Sequence, residues 1–205
     1  FTKRIKAVVV DLKTGKVDED ATKNVAAFDQ QKAMKDPEKS QSAPKNLAGV
    51  GRIPNQALVY QVSKGEMDEA GAGFSLDQYI FPVEGKGLWS TLYGYVAMAP
   101  DCNQIKGLEF YQHLETPGLG GEVDNPKWKA LWPGKLAFGD QGSDPAKWDK
   151  VQIAVLKSGG KGKPHAVDSL SGATITSNGV TYLLHFWLGD NGFGPYIQNV
   201  AERPS

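Results

Sequence analysis

Five apolar residues near the end of the chain constrain it most. Val180, Leu183, Leu184, Trp187 and Leu188 fall at i, i+3, i+4, i+7 and i+8, one face of a helix apolar enough to be buried. The stretch before it, Asp168-Ser-Leu-Ser171-Gly172-Ala173-Thr174-Ile-Thr176-Ser-Asn, is small and hydroxyl-rich, which suits a helix N-terminus. A helix starting there presents unpaired backbone N–H groups and the positive end of its dipole, a combination that can hold a phosphate. On the residues alone two readings stand: Ser171 to Ser177 cap the helix, or they cradle an anion.

Most of the remaining chain reads as strand. Residues 4–12 are rich in β-branched side chains, and Thr14-Gly15 turns them. Residues 57–63 alternate through Leu58, Tyr60 and Val62, residues 77–83 are extended, and residues 93–99 and 104–111 pair as a hairpin around a turn at 100–103. A further strand is expected at 148–157, with the flexible, basic stretch 158–164 as a solvated hairpin tip leading to 165–168. Helices are expected at 25–36, stopped before Pro37, and at 125–131, opening on Pro126 with Trp128 and Trp132 turned inward. Residues 38–55 are polar and carry Pro44, Gly49, Gly51 and Pro54, so they are expected as a surface excursion and the least ordered part. Residues 65–73 and 134–147 read as loops. Gly192 and Gly194 stop the last helix, and residues 197–200 are expected to pack back on the domain. Hairpin-like strand runs with a few helices between them, no internal repeat and no strict βαβ alternation predict one α+β domain over residues 1–205, built on a largely antiparallel sheet.

Composition removes several function classes. The 205 residues carry 23 basic and 23 acidic side chains, so no net charge draws the chain to nucleic acid or an anionic surface. Arg4, Arg52 and Arg203 are the only arginines, so bidentate phosphate readout is not a theme. Cys102 is alone, which excludes an internal disulfide, a cysteine-based metal site and an iron–sulfur centre held by this chain. Its place in Pro100-Asp-Cys-Asn suits a small turn residue better than a nucleophile. His113 has no second ligand at useful spacing, so no metal is expected. The stretch 158–164 lacks the Walker A spacing, and no Gly-x-Gly-x-x-Gly opens a helix after the first strand. Ser171 or Thr174 with His165 or His185 and Asp168 supplies hydrolase residue types, but there is no Gly-x-Ser-x-Gly elbow, and His185 lies in the apolar helix register. No transmembrane stretch or signal peptide is present.

Two glycine-rich stretches each have a plain and a functional reading. In Gly85-Lys-Gly-Leu88-Trp89-Ser90-Thr91 the glycines either turn two strands ahead of a core Trp89, or let the backbone approach a flat ligand that Leu88 or Trp89 covers. In Glu115-Thr116-Pro117-Gly118-Leu119-Gly120-Gly121-Glu122 a fixed proline beside flexible positions excludes a helix or central strand. This is either a tight surface turn or a loop that hugs a ligand, with Thr116 and the Gly120 and Gly121 amides on ring heteroatoms and Leu119 on the ring.

Asp168-x-x-Ser171-Gly172-Ala173-Thr174 resembles the flavinylation motif of the FMN-binding domain family. With the two glycine-rich stretches, Asn125-Pro-Lys-Trp128 and Gly192-Phe-Gly-Pro195 in order, the chain from Phe1 to its C-terminus is similar to the C subunits of sodium-translocating NADH:quinone oxidoreductases. The resemblance implies a covalent FMN, its phosphate esterified to Thr174 by a dedicated flavin transferase. Ser171, Gly172, Ala173 and Thr176 would surround the phosphate, and Leu88, Trp89, Ser90, Glu115, Thr116, Leu119, Gly120 and Gly121 the ring. Asp168 is expected to order the turn, or to serve the transferase's metal and nucleotide, because its charge repels a phosphate. Electrons would pass, one at a time, between an iron centre in the membrane and a second FMN on a neighbouring subunit. NADH, quinone and sodium would belong to other parts of the assembly. A removed N-terminal helix would anchor the chain on the periplasmic side of a bacterial inner membrane, as a start at Phe1 without Met suggests. The matching subunit of the ferredoxin-linked electron transport complex shares Ser-Gly-Ala-Thr, and a non-redox binding module is the further alternative.

Overall fold

The computed structural model describes residues 3–68, 71–139 and 150–201. Six strands form one antiparallel sheet, β1 (Ile5–Asp11), β2 (Lys16–Val17), β5 (Gln56–Ser63), β6 (Leu76–Lys86), β7 (Thr91–Met98) and β8 (Ile105–Gln112), in the order β2-β1-β5-β6-β7-β8. Between β2 and β5 lie α1 (Glu19–Lys23), a 3-10 turn (Val25–Ala27), α2 (Gln30–Lys35) and the small hairpin of β3 (Ser40–Ser42) and β4 (Arg52–Pro54). After β8 come a 3-10 helix (Gly120–Asp124), α3 (Pro126–Lys129), β9 (Ala154–Leu156), β10 (Ala166–Asp168), α4 (Thr174–Leu188) and α5 (Gly194–Ala201). This is the α+β, largely antiparallel architecture expected.

The core is the layer between the sheet and α4. Alternation along β6 and β7 sends Phe81, Val83, Leu92 and Val96 to the side where Val180, Leu183, Leu184, Trp187 and Leu188 lie, all five of the latter fully buried. Phe193 and Ile197 extend that layer, so the tail does pack back on the domain. Two glycines set how closely α4 approaches. A Cβ on Gly85 would lie 2.5 Å from that of Leu183, and one on Gly179 would run into the Lys86 carbonyl. The Trp187 indole donates to the Glu84 carbonyl at 2.7 Å, and the Thr181 hydroxyl accepts from the Val155 amide at 2.8 Å. The body of α4 is thereby fixed against β6 and β9.

Four expectations are corrected. The helix expected at 25–36 is broken, because Asp29 accepts from the Lys32 amide and starts α2 afresh. Residues 38–55 are not merely an excursion: they pair as β3–β4 and place Ala48, Val50 and Ile53 in the core. The segment 158–164 is no hairpin tip, because β9 and β10 run parallel. Gly160 is buried there, and a Cβ on it would strike the Val167 backbone. Of the strand expected at 148–157 only Ala154–Leu156 forms; Trp148 and Asp149, with most of the expected loop at 134–147, lie outside the described residues. Cys102 is fully buried at φ 54, and burial pushes its thiol far above the usual range, so it is inert.

The sheet's other face carries Leu58, Tyr60, Ile80, Pro82, Glu84, Tyr93, Tyr95 and Tyr111, with α2 lying across its β5 end. The Glu84 carboxylate makes no hydrogen bond or ion pair among the described residues, and burial raises its pKa from the usual 4.5 to about 6. A raised carboxyl favours the folded state below 4.5, and that advantage is lost as pH climbs through 6. Glu84→Gln should therefore raise the melting midpoint by a few degrees at pH 7.5 and leave it unchanged near pH 4, as read by calorimetry at both pH values.

Candidate functional site

Glu115 organises the end of the molecule where α4 begins. The residue is 5% exposed. Oε1 accepts from the amides of Trp89 at 2.9 Å and Ser90 at 3.1 Å, and Oε2 from the Leu88 amide at 3.2 Å and the Thr176 hydroxyl at 2.5 Å. One carboxylate thus ties the β6–β7 hairpin to the first turn of α4, whose Thr176 lies 61 positions from Glu115 in sequence. Burial pushes this carboxyl up, but the Thr176 hydroxyl and the three amides outweigh it and hold it below the usual glutamate value. Gly87 and Gly120 make room: a Cβ on either would come within 2.6 Å of the cluster, at Glu115 Oε1 or Thr176 Oγ1. The His113 ring accepts the Glu115 amide at 3.2 Å and meets Asp124 at 2.8 Å, holding the start of the loop.

The hydroxyls around the helix start do not cap it. Ala173 is the N-cap and offers no side-chain bond. Thr176 turns to Glu115, and the buried Ser177 Oγ accepts the Leu170 amide at 3.1 Å. The amides of Thr174, Ile175 and Thr176 consequently have no acceptor among the described residues, and no acidic side chain stands in the first turn. Thr174, its first residue, is exposed, as is Ser171. Gly172, at φ 69, brings the turn so close to Leu119 that a Cβ would lie 3.0 Å from its methyl group. Leu119 is 45% exposed, Leu88 42%, Trp89 69% and Ile175 57%, an apolar wall beside the bare amides. Trp89 is therefore not a core residue. A phosphate fits the amides, and a flat apolar ring fits the wall.

Not every expected contact group is free. The Gly121 amide is taken by the Thr116 carbonyl at 2.9 Å, while Thr116 itself is exposed. The Ser90 hydroxyl accepts the Leu114 amide at 2.8 Å. Glu115 is saturated, so it acts by positioning its neighbours. Asp168 accepts the Gly160 amide at 2.7 Å and orders that turn, while its carbonyl takes the Trp128 indole at 2.9 Å. None of the hydrogen bonds of His165, His185 or Asp168 reaches Ser171 or Thr174; the His185 ring meets the Ile153 carbonyl at 2.8 Å. Sequence reasoning assigned Gly87 a role in letting the backbone come close, though toward a ligand and not toward Glu115, and it left Gly179 unmarked. Gly179 carries a readable signal, because glycine inside an apolar helix is unfavourable unless something must come close.

A family model described as "FMN-binding domain" matches residues 87–189, the span that holds the hairpin, the Glu115 loop and α4. The C subunit of the Na(+)-translocating NADH-quinone reductase of Vibrio anguillarum is 44% identical, over 98% of this chain and 73% of its own length. The protein of that name in Pseudomonas aeruginosa shows the same identity and the same coverage. Among solved structures, NqrC of Shewanella oneidensis superposes with a TM-score of 0.84 at 40% identity, covering 99% of this chain and 87% of the other. No helix among the described residues is long and apolar enough to cross a membrane.

Proposed function

Because the chain belongs to the FMN-binding C subunits of the Na(+)-translocating NADH-quinone reductases, we propose that it relays electrons through an FMN esterified to Thr174. The observation that carries the reading is the set of three acceptor-free amides at Thr174, Ile175 and Thr176 beside an exposed threonine hydroxyl and an apolar wall. Bound FMN supplies the redox chemistry.

The chain's own residues attach and orient. Attachment would form a bond from Thr174 Oγ1 to phosphorus and break a phosphorus–oxygen bond, the hydroxyl proton and displaced oxygen leaving as a net loss of one water, so the group could not diffuse away from a site open to solvent. The first-turn amides and the helix dipole offset the remaining phosphate charge. Leu88, Trp89 and Leu119 would pack against the ring, and Glu115 holds the elements that carry them. A flavin transferase performs the attachment, and the other subunits of a membrane redox complex bind NADH and quinone and move sodium. The domain works on the periplasmic side as a single unit.

Intact-mass spectrometry after co-expression with the transferase should show one FMN less one water added per chain. An unmodified mass under those conditions removes the proposal. Trp89→Ala and Leu119→Ala should retain that mass but shift the visible flavin spectrum or its midpoint potential; spectra unchanged in both variants would place the ring elsewhere.

A further inference from the structure

A polar hollow opens between α2 and the sheet and reaches in as far as Trp187 of α4, and an apolar trough lies beside it on the sheet face turned away from α4. The hollow, ≈ 440 Å³, lies between the sheet and α2 and is lined by Gln31, Lys32, Glu84, Tyr93, Tyr95 and Tyr111 among others. The trough, ≈ 630 Å³, runs over Ile5, Tyr60, Ile80, Ala97 and Gly107 to the Lys129–Glu109 ion pair at 2.7 Å, whose charges offset each other, and the two share Tyr60 and Tyr95. The tyrosine rings form a chain, with centroids 6.2 Å apart for Tyr60 and Tyr95, 5.1 Å for Tyr95 and Tyr111, and 6.3 Å for Tyr93 and Tyr111. Glu84 stands directly opposite Tyr93 in the β6–β7 register.

Charge decides what suits the hollow. Lys32 is already paired with Asp29 at 3.4 Å, which leaves Glu84 as the uncompensated charge. A carboxylate drawn out of water without a partner is unfavourable, and tyrosine faces attract cations and not anions. We propose that this face binds a small organic cation with a short hydrocarbon tail, its ammonium head held by Glu84 among Tyr93, Tyr95 and Tyr111 and its tail lying in the trough. The site lies across the sheet from the flavin site, and its occupancy does not depend on FMN.

The groups facing Glu84 are Asp29 and Lys32 from α2, Tyr60 from β5, Tyr93 and Tyr95 from β7 and Tyr111 from β8. Burial pushes the Tyr60 and Tyr111 hydroxyls up, so they stay neutral. Glu84 is then the titrating group between pH 5 and 7.5.

The test is calorimetric titration of the full chain with tetramethylammonium, hexyltrimethylammonium, and hexanol as the uncharged control. Hexyltrimethylammonium should bind at one site and at least ~10-fold more tightly than tetramethylammonium, reflecting burial of its chain. Glu84→Gln should weaken both cations roughly 10-fold or more, and Tyr111→Leu roughly 3- to 10-fold. Lowering the pH from 7.5 to 5 should weaken wild-type binding about 10-fold, as Glu84 loses its charge. No saturable binding up to ~10 mM would overturn the proposal. So would Glu84→Gln binding as tightly as the wild type, or hexanol matching hexyltrimethylammonium.

Discussion

Thr174→Val, co-expressed with the flavin transferase, is expected to have the mass of the unmodified chain and no colour after denaturing electrophoresis. The substitution exchanges one hydroxyl for a methyl group of similar size. Valine keeps the branch at Cβ in the first turn of α4. The Thr174 hydroxyl has no hydrogen-bond partner among the described residues and the residue is exposed, so stability should change by less than about 0.5 kcal/mol. A lost flavin therefore reports lost chemistry and not lost folding. The neighbouring hydroxyls are poor substitutes for a structural reason. Those of Thr176 and Ser177 are buried and engaged, one donating to Glu115 and the other accepting from the Leu170 amide. Ser171 is the exposed competitor, and Ser171→Ala should leave the mass increment in place. An increment that survives Thr174→Val and vanishes in Ser171→Ala would move the acceptor to Ser171.

Periodicity is what made much of this fold legible. Val180 to Leu188 repeat at helical spacing over more than two turns, and all five marked residues are in the core. Strands β5, β6, β7 and β8 each begin and end within a few residues of where alternation placed them, because one face of each is buried and the other is not. The losses share a cause: the deciding partner is distant in sequence. Gly and Lys between residues 158 and 164 look the same in a hairpin tip and in a link between parallel strands; the seat of Gly160 against Val167 and Asp168 tells them apart. Ala48 and Val50 sit in polar surroundings, and their burial depends on the sheet end they reach, where the Lys86 amide donates to the Ala48 carbonyl at 2.7 Å. At the site, the motif marked the bare helix start, with Thr174 as the first residue of α4. It did not reveal that the Thr176 hydroxyl bonds Glu115 while the Thr176 amide stays bare, so that one residue both clamps two loops and faces the anion site.

That clamp carries the second large effect. Glu115→Ala removes the acceptor of three backbone amides and one buried hydroxyl at once. Water can reach the hairpin amides, since Leu88 and Trp89 are exposed, but the Thr176 hydroxyl is 1% exposed with its residue and loses its partner outright. A loss of about 3 kcal/mol follows, roughly 10 °C in melting midpoint for a chain of this size. Glu115→Gln should fall between, because its oxygen still serves Trp89 and Ser90 while its NH2 group faces the Leu88 amide as donor to donor. Acid provides a second axis. The folded carboxyl titrates below 4.5 and the unfolded one near it, so the stabilisation is complete above 4.5 and disappears as pH falls through the lower, folded value. The stability gap between wild type and Glu115→Gln, measured by urea denaturation, should thus be widest at pH 7 and shrink below pH 4.5. A wild-type midpoint in Glu115→Ala, or a gap that widens in acid, would show that the hairpin and α4 are held together by packing alone. If the gap behaves as expected, the yield of FMN on Thr174 should drop in Glu115→Ala even though the acceptor hydroxyl is untouched, because the wall at Leu88 and Trp89 is no longer held beside it.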